Sequence, residues 1–188
     1  MTITLIRHAK VVINQRTKIS ALEMKAWVEE YDHAFVSHEV PMEKIIKHLK
    51  HADLVLASGL SRTKESLGLI GVKAKEHNSL FDEIALPTFE NEAIKLYPKQ
   101  WLMLLRFMLI FPGAKKHEIL VKSRQRAKMA AMYLDRLVDE HQDVSLMGHG
   151  GMNWLMGKAL EKLGWKCVEN AQATKNWGYK VYEKKIKV

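Results

Sequence analysis

Two histidines and two arginines in this 188-residue chain stand at the ends of apolar runs, where an α/β protein keeps its chemistry. Arg7-His8 closes an alternating, β-branched run at 2–6. Ser58, with Arg62 four residues on, follows Leu54-Val55-Leu56-Ala57. His149, between Gly148 and Gly150-Gly151, follows Val144-Ser145-Leu146-Met147. Each run has the length and composition of a buried strand. In open α/β sheets ligands bind beyond the carboxyl ends of the strands. One histidine there is usually structural, but three strand ends that each deliver His or Arg are poorly explained by coincidence.

The chemistry these groups suit is that of a dianionic phosphoryl group. Guanidinium forks on Arg7 and Arg62 can hold its oxygens bidentately, and the imidazole of His149 can donate a further bond where charge develops. Gly150 and its neighbours let backbone N–H groups approach at the positive end of the next helix. His8 is then the nucleophile, its neutral nitrogen attacking phosphorus in line and carrying the phosphoryl group covalently. The arginines neutralise charge, so the scheme needs no metal and no cofactor. The other seven histidines show no ligand spacing with cysteine or carboxylate partners. The leaving group needs a proton donor, and Asp82, Glu83, Glu90 and Glu92 are all eligible on spacing alone.

The elements that must position these residues alternate. Pro41 opens a helix over MEKIIKHLK, a long helix runs over about 118–141, and another covers 152–163 and is closed by Gly164. Strands alternating with helices imply a largely parallel sheet covered on both faces. The segment at about 84–116 breaks the rhythm, holding three of the four prolines and the apolar run WLMLLRFMLIF at 101–111. It reads either as an excursion that leaves the sheet and roofs a site, or as a core helix flanked by loops.

Composition sets outer bounds. The length, with 47% hydrophobic residues, suits one domain spanning 1–188. The single cysteine, Cys167, cannot form an internal disulfide, and with no leader pattern a reducing cytoplasmic setting is expected. The run at 101–111 is interrupted by Arg106 and falls short of the roughly 20 residues that span a bilayer. If exposed it would be an interface, so an oligomer is left open. The net charge of +9 suits an anionic partner, whether a phosphorylated small molecule, nucleic acid or an acidic membrane surface, and equally a solvated lysine-rich surface with no partner; nucleic acid is disfavoured because no recognition motif is present.

Taken together, LIRHAK, ASGLSRTKES and MGHGG resemble the signatures of the histidine phosphatase superfamily, the phosphoglycerate mutase-like proteins. The resemblance covers nearly the whole chain. It implies a three-layer α/β/α sandwich with a mostly parallel central sheet and an antiparallel edge strand at about 177–182. It makes His8 the phosphorylated histidine, with Arg7, Arg62 and His149 completing the phosphate pocket and Asn14 at a position where many members bind phosphate. It also selects Glu83, in SLFDEIALP, as proton donor. Hydrolysis of a phosphomonoester is the activity expected. A phosphomutase is ranked below it, since the excursion offers little material for a tight lid, and a regulatory module that binds phosphate or phosphopeptide without turnover is a third reading. Three positions depart from the signatures: Ala9 for glycine, Gly59 for proline and Glu65 for glutamine. Ala9 would strain the loop if a positive φ were needed there.

Overall fold

The computed structural model of the protein describes residues 1–88, 90–108 and 114–184, the side chains of 114–117 excepted. In chain order the elements are β1 (Thr2–Arg7), β2 (Ile19–Ser20), α1 (Ala21–His33), α2 (Glu43–His51), β3 (Leu54–Ser58), α3 (Ser61–Leu69) and β4 (Glu76–Asn78). After a 3-10 turn at Ser79–Phe81 come β5 (Lys95–Leu96), α4 (Pro98–Met108), α5 (Ala114–Leu137), β6 (Asp143–Gly148), α6 (Gly150–Lys162), β7 (Lys166–Ala171) and β8 (Tyr179–Glu183).

Six strands form one sheet in the order β4-β3-β6-β1-β8-β7. β4, β3, β6 and β1 pair in parallel, while β8 runs antiparallel to both of its neighbours. The expected antiparallel strand is therefore present, but it stands one place in from the edge, which β7 occupies. Side chains of alternate parity serve opposite faces, as a pleated strand requires. Leu5, Leu56 and Leu146 pack with Leu134 of α5 and Met156 of α6. Ile6, Val55 and Met147 pack with Leu49 of α2 and Leu67 of α3. Helices thus cover both faces of a mostly parallel sheet, the three-layer α/β architecture.

The helix ends carry local causes. α1 starts on a capping box in which the Ser20 hydroxyl accepts from the Glu23 N–H and the Glu23 carboxylate accepts from the Ser20 N–H. Gly164 follows α6 at φ +91°, a conformation glycine adopts without steric cost. Pro41 lies outside α2, whose N-cap is Met42. The long helix begins earlier than its apolar spacing suggests, at Ala114, and ends at Leu137.

The described part of 84–116 adds no strand to the main sheet. Its β5 pairs with β2 in a separate two-stranded ribbon, and α4 lays Trp101 and Leu105 against Ala21, Met24 and Trp27 of α1. Met103, on the opposite face of α4, and Leu104, on its flank, are exposed. Positions 109–113 of the apolar run and its neighbours, Pro112 among them, lie outside the described residues. Among the described residues no helix is long and apolar enough to cross a membrane.

Candidate active site

The register of the parallel strands explains why three distant motifs meet. Arg7 pairs with Gly148, and Ala57 pairs with Met147, so the last residues of β1, β3 and β6 lie side by side at one edge of the sheet. The residues just beyond are His8, Ser58 with Arg62, and His149. The two imidazoles approach to 5.1 Å between ring centroids, tilted by 58°.

His8 is 2% exposed. Its Nδ1 lies 2.6 Å from the Ala9 carbonyl. A carbonyl only accepts, so Nδ1 carries the proton and Nε2 keeps its lone pair. Burial, reinforced by the positive charge of Arg62, depresses its pKa to about 3. The ring is therefore neutral at physiological pH, with Nε2 as its basic and nucleophilic atom.

His149 is fully buried and is the N-cap residue of α6. Arg62 Nε donates to its Nδ1 at 3.3 Å, which puts the ring proton on Nε2, and that N–H donates to Ser58 Oγ at 2.6 Å. Its pKa is also lowered, by burial first and then by Arg62. Arg62, only 3% exposed, is secured by an ion pair from Nη1 to Asp32 Oδ1 at 2.6 Å and lies over the Tyr31 ring at 5.2 Å. Its Nη2 makes no hydrogen bond among the described residues. The pair is asymmetric in solvation, since the Asp32 side chain is 38% exposed.

Arg7 donates from Nη1 to the Thr174 carbonyl in the turn between β7 and β8. Its Nε is buried and has no partner among the described residues, which leaves the Nε/Nη2 edge of the fork uncommitted there. Burial lowers its pKa, with Tyr31 and Glu83 opposing that shift. The same turn braces the His8 backbone: Asn176 Nδ2 donates to the His8 and Ala9 carbonyls, and the Trp177 N–H donates to the Arg7 carbonyl. Gln172 and Trp177 hold positive φ values of 48° and 59° to make this turn, a strained geometry for residues with a Cβ.

Glu83 reaches the start of α6. Its Oε1 accepts from the Met152 N–H at 3.0 Å and its Oε2 from the Gly151 N–H at 3.3 Å, so the carboxylate sits on the positive end of the helix. Space is tight at Gly151. A Cβ on Gly150 would lie 3.4 Å from Arg7 Nε, and one on Gly151 would lie 2.7 Å from Glu83 Oε1. Arg7 and Glu83 therefore flank consecutive residues of one helical turn. From α5, Arg126 Nη2 donates to the carbonyls of Asp82 and Glu83 at 2.8 and 2.9 Å, fixing the backbone that carries the carboxylate. Asp82 has a separate role, accepting from the Gly59 N–H at 2.7 Å.

The structure thus gathers Arg7, His8, Arg62 and His149 at one sheet edge and places Glu83 and Gly150 on the adjoining helix turn. Asn14 is not drawn into this hydrogen-bond network. Exposed, it accepts from the Arg16 N–H through Oδ1 and donates to Thr17 Oγ1, closing its own loop. Ala9 causes no strain: its φ is not positive, and its N–H donates to the buried Ser66 hydroxyl at 2.9 Å. Sequence reading missed Asp32, Arg126 and the 172–178 turn. Only the turn left a signal, in Asn176-Trp177-Gly178. Among the described residues no group of three or more His, Cys, Asp or Glu is disposed to hold a metal.

No family model and no curated protein matches the chain by sequence. Among solved structures, it is similar to the product of open reading frame Rv3214 of Mycobacterium tuberculosis. The TM-score is 0.51 at 14% identity, over 82% of this chain and 77% of that one. It is also similar to the mycobacterial glucosyl-3-phosphoglycerate phosphatase Rv2419c, with a TM-score of 0.46 at 14% identity over 86% of this chain and 79% of that one. At such identity the first likeness extends to the fold and no further, and the second is too loose to equate even the folds.

Proposed function

We propose that the chain is a phosphomonoesterase of the histidine phosphatase type, working through a phosphohistidine on His8. The observation that carries this reading is the state of His8: its Nδ1 proton is committed to a backbone carbonyl, and a neutral Nε2 is kept beside two guanidinium groups whose Arg7 Nε and Arg62 Nη2 donors have no partner among the described residues.

In the first step the Nε2 lone pair forms a bond to phosphorus as the P–O bond to the leaving group breaks. Glu83, entering as the acid, gives its proton to the departing oxygen. The developing imidazolium keeps its Nδ1–H on the Ala9 carbonyl, which disperses the new positive charge. Arg7 grips the phosphoryl oxygens through its Nε/Nη2 edge, Arg62 contributes Nη2, and the His149 Nε2–H turns from Ser58 Oγ to a phosphoryl oxygen. The N–H groups opening α6, Gly150 among them, face the same anion. In the second step Glu83, now a carboxylate, takes a proton from water as that water attacks phosphorus. The P–N bond breaks, the electron pair returns to Nε2, and inorganic phosphate leaves. Residues 1–188 act here as one unit, with the described part of 84–116 roofing the site, and the substrate is a phosphorylated small molecule.

The test is single-turnover quenching with a 32P-labelled phosphomonoester. Wild-type protein should hold acid-labile, base-stable label that chases into phosphate, and His8→Asn should hold none. Equal labelling of the His8 variant, or no label and no phosphate release from the wild type across a substrate panel, would overturn the assignment.

A further inference from the structure

Immediately beside Glu83 lies a cavity of about 220 Å³ that the catalytic scheme leaves unused. Its walls are apolar: Ile84 and Leu86 from the chain leaving Glu83, Leu120 from α5, and Trp154 and Leu155 from α6. An apolar cavity of roughly 150 Å³ already accepts benzene, so this one has room for a ring with a short substituent. At its rim stand Arg106 of α4 and Arg124 of α5. Both are exposed, and neither pairs with a carboxylate among the described residues.

The cavity is continuous with the candidate site. Glu83 and Gly151 line it, and the same Glu83 carboxylate is hydrogen-bonded to Gly151 and Met152. Arg106 is also near enough to figure in the electrostatic surroundings of Arg7 and Tyr31. A leaving group that takes its proton from Glu83 must extend from that carboxylate into neighbouring space. Here that space has apolar walls and a doubly cationic rim. Leu120 and Arg124 are one helical turn apart on the same face of α5, so one helix supplies both wall and rim.

Resting on the phosphatase reading above, we infer that the preferred substrates are phosphate esters of a ring-sized apolar alcohol that carries a second anionic group at its far end. The apolar body packs between Leu120 and Trp154, and the distal anion meets Arg106 and Arg124. A polar polyol phosphate would leave its hydroxyls facing hydrocarbon without partners, which is costly.

The experiment compares two esters with matched leaving groups, 4-(2-carboxyethyl)phenyl phosphate and 4-propylphenyl phosphate, with glycerol 3-phosphate as the polar reference. The carboxylated ester should exceed the propyl ester in kcat/KM by roughly fivefold, the upper end of what an ion pair with exposed arginines contributes. Both should exceed glycerol 3-phosphate. In Arg106→Gln and Arg124→Gln the ratio between the two aryl esters should fall toward one. Because both esters are read on the same protein, loss of folded enzyme cancels. Equal kcat/KM for the two aryl esters, or a preference that survives in the double variant, would overturn the inference while leaving the phosphatase reading standing. Failure to hydrolyse all three esters, with no inhibitory binding of vanadate, would sink both.

Discussion

Gly151→Ala offers a way to move the proposed acid without touching it. A Cβ at this position would lie 2.7 Å from Glu83 Oε1 and 3.1 Å from Ile84 Cδ1. Ordinary contact begins near 3.4 Å, so the carboxylate must retreat by about 0.7 Å, and its bonds to the Gly151 and Met152 N–H groups, now 3.3 and 3.0 Å, stretch or break. The clash falls on the far end of a flexible side chain, so folding is little affected. Losing those bonds costs about 1 kcal/mol, and replacing a helical glycine by alanine returns up to about 1 kcal/mol. The melting temperature should stay within about 4 °C of wild type. Activity should respond far more, since a misplacement near 1 Å can cost about 10²-fold. That loss should depend on the leaving group: roughly 10²-fold in kcat for an alkyl phosphate, which needs its oxygen protonated, and severalfold at most for 4-nitrophenyl phosphate, which leaves as a stable anion. Equal losses on the two substrates in Gly151→Ala would refute the role given to Glu83.

Acid should destabilise the fold through its buried imidazoles. The folded-state pKa of His8 is about 3 and that of His149 is also depressed, whereas an unfolded histidine titrates near 6.5. The unfolded chain therefore binds more protons below pH 6.5, and stability, intact above that pH, is lost as pH falls from 6.5 toward 3, by about 1.4 kcal/mol per pH unit for each such histidine. Urea midpoints between pH 7 and 5 should show this slope, and His8→Gln or His149→Gln should each flatten it; a wild-type midpoint constant over that range would contradict the burial argument. Asp32→Asn keeps an acceptor for Arg62 and removes a negative charge that competes with phosphate, so vanadate should inhibit more tightly, by roughly fivefold for a pair with one partly exposed member; unchanged or weaker inhibition would count against competition. Arg126→Met removes the donors to the Asp82 and Glu83 carbonyls; kcat should fall about tenfold or more with KM little changed, Arg126→Lys should recover part of it, and a pure loss of melting temperature with kcat intact would mark Arg126 as structural only.

The parts of the fold legible in sequence are those where burial dictates composition. β1, β3 and β6 are almost wholly buried, so they read as apolar runs that stop where charge begins, and the parallel register then aligns their ends without further information. β7 was illegible for the complementary reason. As an edge strand its KCVENA is mostly exposed and carries no alternation, and it displaced β8 from the margin expected for it. β2 and β5 have two residues each, too few for any period to register. The same division runs through the site. Arg7, His8, Arg62 and His149 could be found because strand ends announce them. Asp32 and Arg126 act from ordinary helix positions through contacts 30 and 43 residues away in sequence, distances over which spacing carries no signal.

Asp82 and Glu83 show why spacing alone left the acid open, and their division of labour accounts for one departure from the resembled signature. Gly59 stands where proline is common, and its N–H, which proline lacks, donates to Asp82. Asp82 thereby ties the loop that ends β3, from which Ser58 reaches His149, to the loop that ends in Glu83, while Arg126 clamps the carbonyls of both acidic residues from the other side. Ala9 belongs to the same bracing, since the Ser66 hydroxyl accepts the Ala9 N–H and donates to the Arg62 carbonyl, joining the loop after β1 to α3. Glu65 accepts from the Val36 N–H, so this change too falls on backbone support. All three departures therefore lie in the bracing between loops, and at Gly59 the partner, Asp82, uses an N–H that the signature residue lacks. Gly59→Pro, the change that would restore the signature, should accordingly lower the melting temperature of this protein, because it removes the N–H that ties the loop after β3 to Asp82.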